Sequence, residues 1–277
     1  MMRGMFAAIS GLRTHQVALD VTANDLANVN TLGYKSARTT FRDSLSQLQR
    51  GGAGASAATG GSNAAQVGLG TQLGSIDNLM GTGAIQSTGN ALDVAIQGPG
   101  WFRVGQGAPP ALPTAFQYTR AGNFTTNDQG YLTTSDGYYV TGRTAAGGAG
   151  ADTYLVIPPG ATNVSIGQDG GVSYTPAGGG ARVTAGFLSL AQFANEGGLE
   201  RASGNRWIAG PNSGAPQVST PGDGTFGLTT AGAIEMSNVD LAQQFTNMIT
   251  AQRGFQASSR VISAADEMLQ DLVNLKR

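Results

Sequence analysis

Residues 237–277 read SNVDLAQQFTNMITAQRGFQASSRVISAADEMLQDLVNLKR, and this stretch decides the fold. Apolar side chains recur in it every seven residues without a break, and Phe245 widens the same stripe. A strict seven-residue apolar repeat keeps one seam of a helix facing a partner, so a long helix of the coiled-coil type is expected. Ser237 and Asp240 resemble a capping box, which predicts that the helix starts at Ser237. The repeat consists of Leu241, Met248, Phe255, Ile262 and Leu269.

The first thirty residues carry a second repeat of the same period, and Ile9 adds to a companion row. Two helices at the chain ends are able to pair, because the termini of a domain often lie close together. A pair of helices alone leaves apolar surface uncovered. The two repeats therefore pack either against each other within one chain or against the helices of neighbouring copies. Three polar residues interrupt the apolar rows and either fix the register of the paired helices or face solvent. They are Gln16, Gln252 and Ser259. The N-terminal repeat consists of Met5, Leu12, Leu19 and Leu26.

The middle of the chain follows a different pattern. A short helix is possible over 36–48, and the Gly-, Ala- and Ser-rich stretch 51–70 is typical of a flexible connector. From residue 71 onward, short β-type runs, among them 116–119 and 124–126, alternate with turn signals. We therefore expect an α+β fold in which long, paired, coiled-coil-type N- and C-terminal helices bracket one mostly antiparallel β domain. The expected domains are 1–35 with 236–277 (helical), 36–70 (connector) and 71–235 (β-rich).

Composition excludes several classes of function. Among 277 residues the net charge is −1, so nothing indicates nucleic-acid binding, and the absence of cysteine removes disulfides and thiol chemistry. Phe6 to Ile9 is too short an apolar run for a secretory signal, and no stretch of about eighteen apolar residues predicts membrane insertion. If the protein is exported, we expect a route without a cleaved signal peptide.

No catalytic or cofactor motif stands out. His15 is the sole histidine, and the Asp-Gly pairs are better explained as hairpin turns than as calcium loops. An exported hydrolase using Asp93 with Asp128 has little support, since nothing sets their spacing. Trp101 and Phe102 are expected in the β-domain core. We therefore expect a protein that is not an enzyme and binds no metal or cofactor.

Three separate stretches resemble the bacterial flagellar rod and hook family of axial proteins. The first is ANDLANVNTLGYK over 23–35, and the second combines SNVDL over 237–241 with MITAQRGF over 248–255. The third combines GPGWF over 98–102 with YTRAGNF over 118–124. The residues taken as the signature are Asn24, Leu26, Ala27, Asn28, Gly33, Tyr34, Lys35, Ser237, Asn238, Gln252 and Arg253.

The resemblance implies a subunit of a hollow helical tube that packs against copies of itself through the two apolar repeats. It also implies export through the flagellar type III apparatus and contact with other axial proteins of the rod, the hook cap and the hook–filament junction. The stretch 66–76 and the C-terminal sequence favour a short, extracellular hook protein that transmits torque. The distal rod of the basal body is the alternative within the family. A secreted adhesin with a coiled-coil stalk is the alternative of another class.

Overall fold

The structure is a computed structural model that describes residues 2–54, 60–107, 109–147 and 150–275. The chain divides into two compact units. A helical unit contains Met1–Ala27, Ala37–Asn78 and Asp240–Arg277, and a β unit contains Asn28–Ser36 and Leu79–Val239. The class is α+β, as predicted, although residues 276–277 of the expected C-terminal helix lie outside the described residues.

Two long helices dominate the helical unit. Helix α1 spans Met2–Ala27 and helix α2 spans Leu241–Asn274. They run antiparallel, because the start of α2 meets the end of α1: Nε2 of Gln244 donates to Oδ2 of Asp25 at 3.3 Å. Further along, Gly11 of α1 lies opposite Ser258 of α2.

The start of α2 differs from the predicted one. Asp240, rather than Ser237, is the N-cap: its Oδ1 accepts hydrogen bonds from the backbone N–H of Ala242 at 2.9 Å and of Gln243 at 3.3 Å. The carboxylate satisfies helix donors that lack a partner within the helix, and a negative charge is favoured at this end. Ser237 instead accepts from the N–H of Val239 in the preceding turn.

The remainder of the helical unit is an antiparallel β ribbon, so the short helix considered for 36–48 is wrong. Strand β1 pairs with β4, and β2 pairs with β3. Thr-rich sequence such as 37–43 favours extended backbone, and the hydroxyl groups of Thr40 and Ser75 lie 2.7 Å apart across the strands. Within the stretch 51–70, which was expected as a flexible connector, Ala53 bridges to Ser62 and β3 pairs with β2, while residues 55–59 lie outside the described residues. The strands are β1 Ala37–Asp43, β2 Ser46–Arg50, β3 Ala65–Gly68 and β4 Thr71–Asn78.

The β unit carries the remaining strands, which are short and mostly separated by turns. Several match the predicted runs, and those over 116–119 and 124–126 match to the residue. The strands are β5 Ile85–Ser87, β6 Val94–Gln97, β7 Trp101–Gly105, β8 Phe116–Thr119, β9 Phe124–Thr126, β10 Leu132–Thr134, β11 Tyr139–Arg143, β12 Asp152–Tyr154, β13 Thr162–Ile166, β14 Gly171–Thr175, β15 Val183–Leu188, β16 Leu190–Gln192, β17 Glu200–Ala202, β18 Arg206–Ile208, β19 Gln217–Ser219, β20 Leu228–Ala231 and β21 Ala233–Glu235.

Among the described residues, thirteen of these strands form one antiparallel sheet with the central order β13-β14-β15-β11-β7-β8-β18-β17. Two smaller pairs, β6 with β20 and β5 with β21, lie outside it. Strand β7 separates two cores, since successive side chains of a strand point to opposite faces. Phe102 packs into a core with Leu132 and Leu188, whereas Trp101 packs into an aromatic core with Trp207. Trp101 and Phe102 are both fully buried, as expected.

Candidate functional site

The face that joins α1 to α2 is made of small and polar residues. On α1 the buried positions Ala18, Thr22 and Asp25 lie four and three residues apart, as a helix–helix contact requires. Small side chains let two helix axes approach closely, since the interaxial distance depends on the residues at the contact. The buried residues are Ala8, Thr14, Ala18, Thr22 and Asp25 on α1, and Gln244, Ala251 and Ala265 on α2.

The large apolar side chains of the predicted repeats flank this face. Leu241 and Phe245 remain exposed, at 45% and 49% of their surface. The structure therefore brings the two repeats to the sides of one helix pair and leaves part of their apolar surface in water. The partly buried members are Met5, Ile9, Leu12, Leu19 and Leu26 on α1, and Met248, Phe255, Ile262 and Leu269 on α2.

Gly254 explains how the helices approach so closely. A Cβ at this position would lie 2.5 Å from the ring of His15, which is too close for any real contact. The imidazole also meets Phe41 of the ribbon edge-on, with ring centroids 5.6 Å apart. His15 is therefore a packed residue that lies against Gly254. Glycine weakens a helix on its own, but here the absence of a side chain leaves room for the imidazole ring. The sequence analysis did not predict this seam; the spacing of small residues three and four positions apart is the signal that could have revealed it.

In the β unit, the N-terminal and C-terminal signatures meet. The backbone N–H of Gly33 donates to the carbonyl of Glu235 at 2.8 Å. Asn238 accepts from the N–H of Ser36 at 2.7 Å and donates to the carbonyl of Leu79 at 2.7 Å. Gly33 has a φ of +62°, and a Cβ there would lie 2.7 Å from the backbone of Ala121. Only glycine fits this position without strain.

A buried ion cluster lies at the centre of this junction. Nζ of Lys35 is 2.6 Å from Oε1 of Glu235, and Nη1 of Arg120 is 3.2 Å from Oε2 of the same carboxylate. The three side chains are 0%, 1% and 2% exposed. Lys35 also donates to the carbonyl of Gly81 at 2.8 Å, and Arg120 donates to the carbonyl of Gly98 at 2.9 Å. These bonds compensate part of the cost of burying charges.

Burial dominates the electrostatics of Lys35. Desolvation lowers the pKa of its ammonium group below the usual 10.5, although Glu235 opposes this shift. Arg201 closes the junction from the other side: it donates to the Tyr34 hydroxyl at 3.1 Å and to the carbonyl of Lys35. Its guanidinium lies over the rings of Tyr34 and Trp207, at 4.8 and 5.1 Å, where cation–π attraction is favourable. Sequence reasoning missed Arg120, Arg201 and Glu235, because no local pattern marks their partners.

The other signature residues occupy local positions. Asn28 accepts a hydrogen bond from the Thr31 hydroxyl at 3.0 Å, which orders the turn after α1. Asn24 and Ala27 are exposed near the end of α1, and Gln252 and Arg253 are exposed on α2. Asp25, which the site prediction omitted, is fully buried, and its carboxylate also accepts from the N–H of Ala37 at the start of β1. It thus ties the two helices and the ribbon together.

The ribbon presents a second apolar surface. Leu69 donates from its backbone to the carbonyl of Leu45 at 2.7 Å, so their positions are adjacent across the strands. Leu45 is 70% exposed, and Leu48, Val67 and Leu69 are exposed as well. A two-stranded ribbon with apolar side chains in water is marginal on its own and marks an interaction site.

Residues considered for chemistry have structural roles. Asp93 accepts from the hydroxyl of Thr88 at 2.6 Å and from Nδ2 of Asn90 at 3.1 Å, so it orders a turn, while Asp128 lies exposed in another. Within the described ranges, no group of three or more His, Asp or Glu side chains could hold a metal ion. Of the helices that the structure describes, none is long and apolar enough to span a membrane.

Three family models match the chain. A model described as flagella basal body rod protein matches residues 5–35, and one described as flagellar basal body rod FlgEFG protein C-terminal matches 230–275. The model for the flagellar hook protein FlgE/F/G D1 domain matches 95–174. The flagellar basal-body rod protein FlgG of Bacillus subtilis (strain 168) is 46% identical over 278 residues, which span both chains completely. The chain belongs to the FlgE/F/G family.

Two further relatives of this FlgE/F/G chain are a rod protein and a hook protein. The flagellar basal-body rod protein FlgG of Caulobacter vibrioides is 38% identical over 280 residues, which cover 99% of this chain and all of that one. The flagellar hook protein FlgE of Borreliella burgdorferi is 25% identical over 447 residues, again spanning both chains. As a FlgE/F/G member, the chain is a structural, axial protein of the bacterial flagellum, from a family of rod and hook proteins rather than of enzymes. The matches favour the rod proteins over the hook protein that the sequence analysis expected.

Proposed function

We propose that this protein is the distal rod subunit of the flagellar basal body, where copies of it form part of a stiff drive shaft. The observation that carries the proposal is the full-length match to basal-body rod proteins at 46% and 38% identity. The alignment with the hook protein extends over 447 positions, so it requires long gaps opposite a chain of 277 residues. These matches support the distal rod alternative better than the hook expectation.

The ribbon of residues 37–78 supports the same choice. A bending tube needs segments that slide past one another, and a flexible connector would supply them. Here the strands on either side of the stretch 51–70 are paired: β1 and β4 are in register from Ala37 opposite Asn78 to Asp43 opposite Thr71, with one irregularity after Thr40. Thr71 also donates from its backbone to the hydroxyl of Ser10 on α1 at 3.2 Å. A ribbon fastened to a helix is suited to a shaft that resists bending.

The helical unit is proposed as the inner wall of the tube and the β unit as its outer layer. On this proposal α1 and α2 form a coiled coil, and the apolar side chains that flank their seam pack against neighbouring copies. Full burial of each Leu or Phe stabilises by about 1.5–3 kcal/mol, so several partly exposed side chains provide a large driving force. The eleven proposed packing residues are Met5, Ile9, Leu12, Leu19, Leu26, Leu241, Phe245, Met248, Phe255, Ile262 and Leu269.

The remaining proposals concern location and partners. Copies of the chain would be exported through the flagellar type III apparatus and would join other axial proteins at both ends of the rod. Gold labelling with an antibody against the β unit tests the location. A rod protein is labelled in isolated basal bodies and stays unlabelled on intact cells, whose external filaments serve as the positive control. Label on the hooks of intact cells would restore the hook assignment.

A further inference from the structure

The chain crosses between its two compact units at four points, which follow Ala27, Ser36, Asn78 and Val239. Each crossing is a single backbone, and a backbone has two soft dihedral angles at every residue. One crossing alone therefore transmits little twist. Crossings that are fastened to one another resist twisting together, so the bonds between them determine how much torque the backbone carries from one unit to the other.

Asn238 fastens three of these crossings to one another. Its Oδ1 accepts a hydrogen bond from the N–H of Ser36 at 2.7 Å, and Ser36 is the last residue before the second crossing. Its Nδ2 donates to the carbonyl of Leu79 at 2.7 Å, and Leu79 is the first residue after the third crossing. Asn238 itself lies just before the fourth crossing. Since Nδ2 also donates to the carbonyl of Gly81 at 3.1 Å, the amide carbonyl and both N–H groups of this side chain are engaged.

The backbones at the same crossings are also hydrogen-bonded. The N–H of Leu79 donates to the carbonyl of Ser36 at 2.8 Å, which continues the register of β1 with β4 by one pair. The N–H of Asn238 donates to the carbonyl of Tyr34 at 3.3 Å. The side chain of Asn238 thus lies where three passes of the chain run side by side.

The buried ion cluster supports the same segment. The carbonyl of Gly81 accepts from Nδ2 of Asn238 and, at 2.8 Å, from Nζ of Lys35. Two residues further on, the N–H of Gly83 donates to Oε1 of Glu235 at 2.9 Å. Hydrogen bonds that are linked in this way strengthen one another in a protein interior. The segment that returns from the ribbon is therefore held both to the segment that leaves α1 and to the segment that leads to α2.

We infer that Asn238 is a clasp that keeps three crossings of the chain together when torque acts on the protein. Separate strands turn independently, whereas strands joined by hydrogen bonds share a load, because force on one is resisted by all three. Every group that the clasp uses belongs to the β unit, so the clasp is complete in a single chain. The inference rests on the proposed drive-shaft function and adds the side chain that makes the backbone able to carry torque.

Hydrogen–deuterium exchange of the purified full-length chain tests whether Asn238 holds the crossings. Asn238→Asp keeps the shape of the side chain and the acceptor for Ser36, but it turns an oxygen without a hydrogen toward the carbonyls of Leu79 and Gly81. Two hydrogen bonds are lost, so we expect the N–H of Leu79 to exchange roughly tenfold faster. Asn212→Asp, an exposed asparagine of the same unit, is the control and leaves this rate unchanged.

Two outcomes of the exchange experiment overturn the inference. The first is an unchanged rate at Leu79 in Asn238→Asp. The second is an equal acceleration in the buried strand β7, because Asn238 would then stabilise the whole β unit and not the crossings in particular.

Flagellar rotation tests the mechanical part, in cells that produce each variant as the sole copy. We expect Asn238→Asp cells to rotate their flagella at the wild-type rate in dilute medium and to lose rotation in viscous medium. A disulfide between Ser36→Cys and Leu79→Cys replaces the clasp, since opposite residues of an antiparallel pair have Cα atoms about 4.5–5.5 Å apart, within disulfide range. The chain has no other cysteine. We expect this disulfide to restore rotation of Asn238→Asp cells in viscous medium and a reducing agent to abolish the rescue.

The two proposals fail in different ways. Full rotation of Asn238→Asp cells in viscous medium, or no rescue by the disulfide, overturns the clasp and leaves the axial function intact. A wild-type chain that is exported but never found in a rod or hook overturns the axial function and the mechanical role with it. In that case the exchange rates still decide whether Asn238 holds the three crossings together.

Discussion

Nζ of Lys35 lies 2.6 Å from Oε1 of Glu235, although the two residues are 200 positions apart in the chain. Lys35 belongs to the segment that leaves α1, and Glu235 belongs to the segment that leads to α2. Arg120, from the turn after β8, binds the second oxygen of the same carboxylate. One buried carboxylate thus fastens both ends of the β unit to its interior.

Glu235→Ala should destabilise the β unit severely. Removing the carboxylate leaves two buried cations without their common partner, and breaking a buried ion pair in this way costs about 3–5 kcal/mol. Urea unfolding followed by tryptophan fluorescence measures the loss, since Trp101 and Trp207 both lie in this unit.

The matched control for Glu235→Ala is Asp128→Ala, which removes an exposed carboxylate of the same unit. Asp128 lies in a turn, and surface substitutions of this kind usually alter stability by no more than about 0.5 kcal/mol. A similar, small loss from both substitutions would mean that the buried cluster does not hold the β unit together.

Gly33→Ala should be much more costly than Gly89→Ala. Both glycines have positive φ, +62° and +74°, and an L-residue in this conformation costs roughly 1–2 kcal/mol. Only Gly33 also faces backbone, 2.7 Å from where its Cβ would be, whereas Gly89 faces open space. Thermal unfolding of the two variants separates conformational strain from the close approach. Equal losses would show that the signature glycine is needed for φ alone.

Much of the fold follows from sequence periodicity. The seven-residue repeats predicted both helices, and alternation between turn signals predicted strands such as 116–119 and 124–126. Both signals depend on residues that are close together in the sequence, so they can be recognised without knowledge of the fold. The ribbon escaped prediction because Gly and Ala weaken any strand pattern over 51–70, and its stability depends on pairing between residues that are between 15 (Arg50 with Ala65) and 41 (Ala37 with Asn78) positions apart.

The contact surface of the helices was harder to predict for a different reason. The seven-residue repeats identified large apolar residues such as Leu12 and Phe255. The buried face between the helices instead contains Ala18 and Ala251, which contribute little to an apolar pattern. The ion cluster illustrates the same limit. Lys35 carried a family signature, yet nothing near it in sequence indicated that Glu235 would be its partner.

Gly254→Ala should destabilise the helix pair, although alanine is the better helix former by about 1 kcal/mol. The added methyl group would lie 2.5 Å from the His15 ring, so one helix must move. Gly4→Ala is the control, because Gly4 lies in α1 with nothing within 4 Å of the added carbon. We expect this control to raise the helical melting temperature measured by circular dichroism and Gly254→Ala to lower it. If both substitutions raised the melting temperature, the His15 ring would not lie against Gly254.

The stability of the β unit should fall above about pH 10, and Tyr118 should cause part of the decline. Burial raises the pKa of its hydroxyl above the usual 10.0, although Arg103 opposes the shift. The unfolded chain loses this proton first, so between the two pKa values the folded chain binds more protons. The free energy of unfolding therefore falls as the pH rises.

Tyr118→Phe isolates this contribution of Tyr118. The variant should lose less stability than the wild type between neutral and strongly alkaline pH, in urea titrations at each pH. Tyr154, whose pKa burial also raises, remains in both proteins and maintains part of the decline. Parallel curves for the two proteins would show that Tyr118 ionises alike in the folded and unfolded states.

The apolar face of the ribbon should matter for assembly and not for the folding of a single chain. Leu45 is 70% exposed and Leu48 is 56% exposed, so the combined variant Leu45→Ser, Leu48→Ser removes little buried area. Surface changes of this kind usually alter stability by no more than about 0.5 kcal/mol. In a polymer the same side chains would be covered by a neighbour, and each would then contribute about 1.5–3 kcal/mol. We therefore expect an unchanged unfolding curve together with loss of motility and of rods in electron micrographs. Gln47→Ser, in the same ribbon, is the control and should leave both intact; full motility of the double variant would show that this face remains in water after assembly.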